Sequence, residues 1–140
     1  MRYWDASALV ALCVAEETTN ALRRLASGGI VTWSISAVEI AAAIERRTRE
    51  GSMTGVERAA ARNALSELAA AWTEIAALGP VRERALRLVA SHPLRAGDAM
   101  QLGAALVGVS DRPSGHTFVC TDLRLRDAAA REGFVVIPGG

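Results

Sequence analysis

Short apolar segments alternate with longer helix-like ones along the whole chain, and an isolated carboxylate stands at four of the junctions. Asp5 follows Arg2-Tyr3-Trp4, and Asp122 follows Thr117-Phe118-Val119-Cys120-Thr121. Glu39 comes after a short apolar strand, within Ser34-Ile35-Ser36-Ala37-Val38-Glu39-Ile40. Asp98 opens Gly97-Asp98-Ala99-Met100-Gln101-Leu102. Strands that alternate with helices predict an α/β fold whose sheet is mainly parallel. We expect three layers, with roughly five strands flanked by helices.

The boundaries follow from local signals. Residues 2–5 read as a strand, Ser7 to Ala15 as a tight apolar helix, and Glu16 to Ser27 as an amphipathic one stopped by Gly28-Gly29. Ile30 to Trp33 is β-branched and aromatic, which predicts a second strand. Ser36 to Glu50 reads as a long helix closed by Gly51. Thr54-Gly-Val-Glu57 is a capping-box signature for the next helix, which runs to about Trp72. The short joint between these two predicts a helical hairpin. Trp72 to Ala76 is a weak strand signal. Pro80 suits the first turn of a helix continuing from Val81 to Ser91, and His92-Pro93 breaks it. Gly97 to Val109 is helical, Thr117 to Thr121 a strand, Leu123 to Glu132 a helix stopped by Gly133, and Phe134 to Ile137 the last strand.

Composition narrows the class. The 140 residues suit one domain, 1–140, able to bury a core without staples. Hydrophobic residues make up 51% and aromatics only 4%, so the apolar content is aliphatic and suits helices packed on a sheet; it excludes a disordered chain. The net charge of +1 excludes a generic polyanion binder. Every cation is Arg and none is Lys. Arg favours bidentate contact with carboxylate or phosphate, although a biased nucleotide composition produces the same inventory. Cys13 and Cys120 lie in apolar segments without a CxxC partner, and only His92 and His116 are at hand to join them, which excludes a structural zinc site. The thiols read as core residues of a cytoplasmic protein, with pairing in space left open. No apolar run approaches a membrane span. Asp5 follows the first Arg too soon for a signal peptide.

In an open parallel sheet, ligands collect outside the carboxyl ends of the strands. Asp5 and Asp122 belong at two such ends. Glu39 and Asp98 belong in the first turns of helices that begin at the same edge. One rim would then hold all four. Carboxylates within roughly 4–6 Å raise one another's pKa or bind a cation. Hard oxygen ligands select Mg²⁺ or Mn²⁺ over zinc. Such ions activate water and stabilise an in-line attack on phosphorus.

Plainer roles exist for each residue. Asp5 would cap the first helix, Ser36 and Glu39 would form a capping box, and Asp98 and Asp122 suit helix N-termini. Capping and metal binding are compatible. Arg46, Arg47 and Arg49, like Arg124 and Arg126, fit a solvated face or phosphate contact. His92 fits a structural role at a helix end, His116 an exposed turn, and Trp33 and Trp72 the core.

The opening Tyr3-Trp4-Asp5-Ala6-Ser7-Ala8-Leu9-Val10 resembles the first strand of PIN domains, in particular VapC-like toxins. Ser36-Ala-Val-Glu39-Ile40 resembles the second acidic motif of that family. His92-Pro93-Leu94-Arg95-Ala96-Gly97-Asp98-Ala99-Met100-Gln101-Leu102-Gly103-Ala104-Ala105 resembles the third and is the most specific. Phe118-Val119-Cys120-Thr121-Asp122-Leu123-Arg124-Leu125, followed by Ala128-Ala129 and Gly133-Phe134, resembles the C-terminal motif. Each motif is short, but the four stand in family order and cover essentially the whole chain. The resemblance implies a metal-dependent endoribonuclease that acts as the toxin of a toxin–antitoxin pair. Asp5, Glu39, Asp98 and Asp122 would be its catalytic, metal-binding acids, Mg²⁺ or Mn²⁺ its cofactor, and RNA its substrate. It also implies a homodimer and a cognate antitoxin that occludes the site. Ser7 matches the family hydroxyl near the first Asp. One position departs: where the family often has Thr or Ser two residues before the last Asp, this chain has Cys120, and the hydroxyl falls on Thr121. Asp127 lies further into its helix than a fourth ligand should.

Two other classes compete. A non-catalytic metal- or RNA-binding module would keep the fold without turnover. A phosphoacceptor or phosphatase-like domain also uses an Asp at a strand end. However, a receiver needs a Lys near its last strand, and the phosphatase pattern needs a second Asp where Ser7 stands.

Overall fold

The computed structural model describes residues 1–14 and 19–138. Their order is β1 (Arg2–Trp4), α1 (Ala6–Cys13), α2 (Thr19–Ala26), β2 (Val31–Trp33), α3 (Ser36–Arg49), α4 (Gly55–Ala71), β3 (Thr73–Ile75), α5 (Leu78–Ser91), α6 (Ala96–Gly108), β4 (Thr117–Val119), α7 (Leu123–Glu132) and β5 (Val135–Ile137). The five strands form one sheet in the order β3-β2-β1-β4-β5, and every pair is parallel. The expected mainly parallel α/β architecture is therefore present, with no antiparallel strand among the described residues. Ala15, and Glu16 to Thr18 of the anticipated second helix, lie outside the described residues.

Period-2 alternation divides the core. Tyr3, Trp33 and Phe118 face α5, α6 and α7 together with Leu88, Leu102 and Leu125. Trp4 and Val119 face the opposite way, onto α1, α2, α3 and α4 with Leu9, Leu22, Ile40 and Leu65. Tyr3 stacks on Phe118, its cross-strand partner, with ring centroids 5.3 Å apart. These two clusters make the three layers.

The strands are one or two residues shorter than the sequence suggests, yet the ladder runs past their ends. Asp5 N donates to Val119 O at 3.0 Å, Cys120 N to Ile137 O at 3.0 Å and Ser34 N to Ile75 O at 2.9 Å. The weak signal around Trp72 is the edge strand β3, and Trp72 itself ends α4. α3 and α4 pack on one another as a hairpin. The Thr54–Glu57 capping box forms in both directions. A second box at Ser36 does not: α3 is capped by Ile35 without a side-chain bond, and Ser36 is its first helical residue. The Ser36 hydroxyl is instead taken by buried partners 2.7 Å and 3.0 Å away, Thr32 and Gln101. Gly133, at φ 111°, stops α7 in the left-handed region that favours glycine. His116 is half-buried rather than exposed, with Nδ1 2.7 Å from the Met1 amine. Trp33 and Trp72 are buried in the core.

β1 has β2 on one side and β4 on the other, so the chain reverses its direction of sheet growth between β1 and β4. Crevices open at such a switch point, outside the carboxyl ends of the strands.

Candidate active site

Asp5 and Asp122 each cap the helix that follows a strand at this crevice. Asp5 leaves β1, is only 3% exposed, and caps α1 by accepting from Ser7 N at 3.1 Å. The same oxygen, Oδ2, accepts the Ser7 hydroxyl and the Cys120 thiol, the latter at 3.4 Å. Ser7 Oγ in turn accepts from Thr121 N at 3.2 Å, which fastens the start of α1 to the end of β4. Asp122 is exposed and caps α7, with Oδ1 accepting from Leu125 N at 3.0 Å.

Glu39 and Asp98 enter from the first turns of α3 and α6. Glu39 is half-buried, and its Oε1 accepts from Gln101 Nε2 at 3.1 Å. Asp98 is half-buried and, among the described residues, has no cationic side chain within ion-pair distance.

Electrostatics tie the four together. Burial pushes the Asp5 carboxyl up to about 6; the Ser7 and Cys120 hydrogen bonds oppose this and Asp98 adds to it. Burial pushes Glu39 up to about 7, against the Gln101 hydrogen bond, and both Asp5 and Asp98 raise it further. Asp98 is raised by its burial and then by Asp122, while Arg95 and Arg124 pull it down. Asp5, Glu39 and Asp98 thus act on one another, and Asp122 acts on Asp98.

Two clefts meet at Asp98. One, of about 510 Å³, is lined by Ser7, Glu39, Arg46, Arg47, Arg95, Asp98 and Thr121 among others. The other, of about 480 Å³, is lined by Arg95, Asp98, Thr121, Asp122, Leu123 and Arg124. Asp5 does not itself reach either wall; Ser7, bonded to it, does. Arg49 lines neither cleft, and Arg126 donates to Pro138 O instead. Asp127 pairs with Arg131 at 3.0 Å on the surface. His92 binds Glu132 at 2.7 Å, which joins the ends of α5 and α7.

Elsewhere carboxylates meet cations: Glu45 with Arg58 and Arg62, Asp111 with Arg84, Glu132 with Arg87. Among the described residues none of the four rim acids has such an ion pair. Among the described residues, the donors to Asp5 and Glu39 are all neutral: Ser7 and Cys120 for the first, Gln101 for the second. This is a set of hard oxygens whose negative charge is only partly offset, by Arg95 and Arg124 near Asp98, which fits a small divalent cation. Among the described residues, no group of three or more His, Cys, Asp or Glu side chains is placed to hold a metal ion directly. A hydrated ion held partly through its waters is the kind that such a rim accommodates.

Several participants carry no acidic signal. Arg95 enters both clefts from the residue before α6. Gln101 is fully buried and reaches Glu39. Its one sequence signal is an amide alone in the apolar run Ala99-Met100-Gln101-Leu102.

No curated protein matches the chain. The model of the PIN domain matches residues 2–130, a span that includes all four rim acids, and PIN domains are generally nucleases. The chain is a member of the PIN domain family.

Proposed function

We propose that the protein is a Mg²⁺- or Mn²⁺-dependent endoribonuclease and the toxin of a toxin–antitoxin pair. The observation that carries the nuclease reading is the desolvated, mutually repelling set Asp5, Glu39 and Asp98, joined by Asp122, beside Arg-lined clefts. Asp5, Glu39 and Asp98 would hold the ion, with Asp122 completing the pocket. When bound, a divalent ion supplies an activated water and charge stabilisation at phosphorus. Arg95, Arg46 and Arg124 would draw the RNA backbone to the rim through its phosphates. Ser7 and Cys120 hold the buried Asp5 oxygen toward the ends of β1 and β4. Family membership supports RNA cleavage generally; the motif resemblance supports the toxin role, the cognate antitoxin, the homodimer and a cytoplasmic site of action. Among the described residues, no helix is long and apolar enough to cross a membrane.

The test is Asp98→Asn assayed on single-stranded RNA with Mn²⁺. Cleavage should fall by at least about 100-fold, the scale of losing a group that acts in the transition state, with an unchanged circular dichroism spectrum. Full activity in that variant refutes the assignment. Mn²⁺ binding by the wild type without cleavage of any RNA offered would point to the non-catalytic module.

A further inference from the structure

We infer that Gln101 is a positioning residue that aims Glu39, and that Tyr3 fixes Gln101 in the orientation this requires. The inference rests on the reading of Glu39 as a metal-holding acid. It begins from a chain of buried polar side chains linking β1, β2, α3 and α6. Tyr3, Thr32, Ser36 and Gln101 are each 0% exposed. Tyr3 O–H donates to Gln101 Oε1 at 2.5 Å. Gln101 Nε2 donates to Ser36 Oγ at 3.0 Å and to Glu39 Oε1 at 3.1 Å. Thr32 Oγ1 donates to Trp4 O at 2.7 Å and lies 2.7 Å from Ser36 Oγ.

The direction of every proton follows from this geometry. Thr32 has one hydroxyl proton, and it is on the Trp4 carbonyl. Ser36 must therefore donate to Thr32, which leaves its lone pair for the amide of Gln101. Both Nε2 protons are then assigned, one to Ser36 and one to Glu39. The Tyr3 hydroxyl has the Gln101 carbonyl oxygen as its acceptor, so its proton points there. A flipped amide would set its oxygen against the Glu39 carboxylate and against the oxygen of Ser36. The phenol therefore locks one amide orientation.

The consequence lies at Glu39. Its Oε1 is tied to Gln101, while Oε2 faces the start of α6, 4.0 Å from where a Cβ on Gly97 would stand. One oxygen is anchored and the other is left toward the helix turn that carries Asp98. The far end of the network is the carbonyl of Trp4, the residue before Asp5. The network thus fixes Glu39 against the strand that delivers Asp5. Groups that orient metal ligands from behind typically change metal affinity by about 10–100-fold when removed.

The test uses wild type, Gln101→Met, Tyr3→Phe and the double variant, each titrated with Mn²⁺ by calorimetry and melted in EDTA. Tyr3→Phe keeps the ring on Phe118 and removes only the lock. Wild type should bind Mn²⁺, Gln101→Met should bind about tenfold more weakly, and Tyr3→Phe should weaken binding less. The double variant removes both partners of a buried hydrogen bond, which is far gentler on stability than removing one. It should regain melting temperature lost by Gln101→Met while its Mn²⁺ affinity stays that of Gln101→Met. Affinity that recovers together with the melting temperature would show a merely structural role and overturns the inference. So does wild-type affinity in Gln101→Met or, if that variant does not fold, in Tyr3→Phe. Absence of Mn²⁺ binding by the wild type overturns the metal reading itself, a different result from wild-type binding that the variants leave unchanged.

Discussion

Cys120 Sγ lies 3.4 Å from Asp5 Oδ2, and the two residues are 115 positions apart in sequence. Parallel pairing of β1 with β4 brings them together, because Trp4 registers with Val119 and the next residue of each strand is Asp5 or Cys120. The thiol also lies 3.6 Å from Ser7 Oγ, so three neutral groups converge on the Asp5 carboxylate: the Ser7 amide, the Ser7 hydroxyl and this thiol. Burial first, and the Asp5 charge next, push the Cys120 thiol far up, so it stays protonated and donates.

Exchanging this thiol for other groups measures what it does. Cys120→Ser supplies a stronger donor at the same place and should keep kcat/KM within a few-fold. Cys120→Val removes the donor and adds about one methyl group at this buried position. It should lower kcat/KM roughly tenfold, equivalent to ~1.4 kcal/mol, near the low end for a hydrogen bond to a charged group. Equal activities for Ser and Val at this position would show that the thiol only fills space.

The same burial makes a chemical prediction. Cys13 is pushed up to about 11 by desolvation, and Cys120 further. Thiolate is the reactive form. Both cysteines should resist a disulfide-exchange reagent at neutral pH in the folded protein and react promptly in denaturant. Rapid labelling of one thiol under native conditions, read by mass spectrometry of its peptide, would contradict a desolvated, neutral thiol, half-buried at Cys13 and fully buried at Cys120.

Much of this arrangement is legible from sequence because it depends on local signals. The Thr54–Glu57 cap, the Gly133 stop and the alternating strand residues each specify their own element, and the parallel order of strands follows from helices between them. The acids at junctions predict a rim because strand ends and helix starts share one sheet edge. The network behind Glu39 is not legible in the same way. Tyr3, Thr32, Ser36 and Gln101 come from four elements and meet only after the sheet is assembled. Ser36 shows the competition directly: its capping-box spacing with Glu39 is a local signal, and a buried partnership with Thr32 and Gln101 overrides it. The three-residue strands also fall below the lengths suggested by their apolar runs, although Asp5 N and Cys120 N, just past β1 and β4, still bond to the neighbouring strands.

Metal and pH should act on stability together. Asp5 goes from 3.8 to about 6 and Glu39 from 4.5 to about 7, and Asp98 is also raised. Between the unfolded and folded values the native state binds more protons than the unfolded chain, so stability falls as pH rises through that window. The lowered acids Glu45, Glu57 and Glu132 contribute with the opposite sign, but below their unfolded value near 4.5. In EDTA the melting temperature should therefore be lower at about pH 7.5 than at about pH 5. Mn²⁺ needs the ionised carboxylates, so its stabilising increment should be larger at the higher pH. Equal Mn²⁺ increments at both pH values would place its binding away from these acids.

Gly103 sets how closely α6, the helix that carries Asp98 and Gln101, approaches α5. A Cβ there would stand 2.8 Å from Val81 O and 3.3 Å from Ala85 N, both backbone atoms of α5. Replacing a helical Gly by Ala ordinarily gains about 0.5–1 kcal/mol from reduced backbone entropy. Overpacking a core contact costs about 1–3 kcal/mol, and the obstruction here is backbone, which does not swing aside. The overlap should win: Gly103→Ala should melt below wild type, and cleavage should fall because α6 can relieve the contact only by moving Asp98 and Gln101 with it. Gly55, the first residue of α4, has open space where its Cβ would be. Gly55→Ala should therefore be neutral or stabilising, with unchanged cleavage. Thermal melts of the two variants side by side, with kcat/KM for each, check both signs. A Gly103→Ala protein as stable and active as wild type would mean that α5 and α6 are not held at this contact.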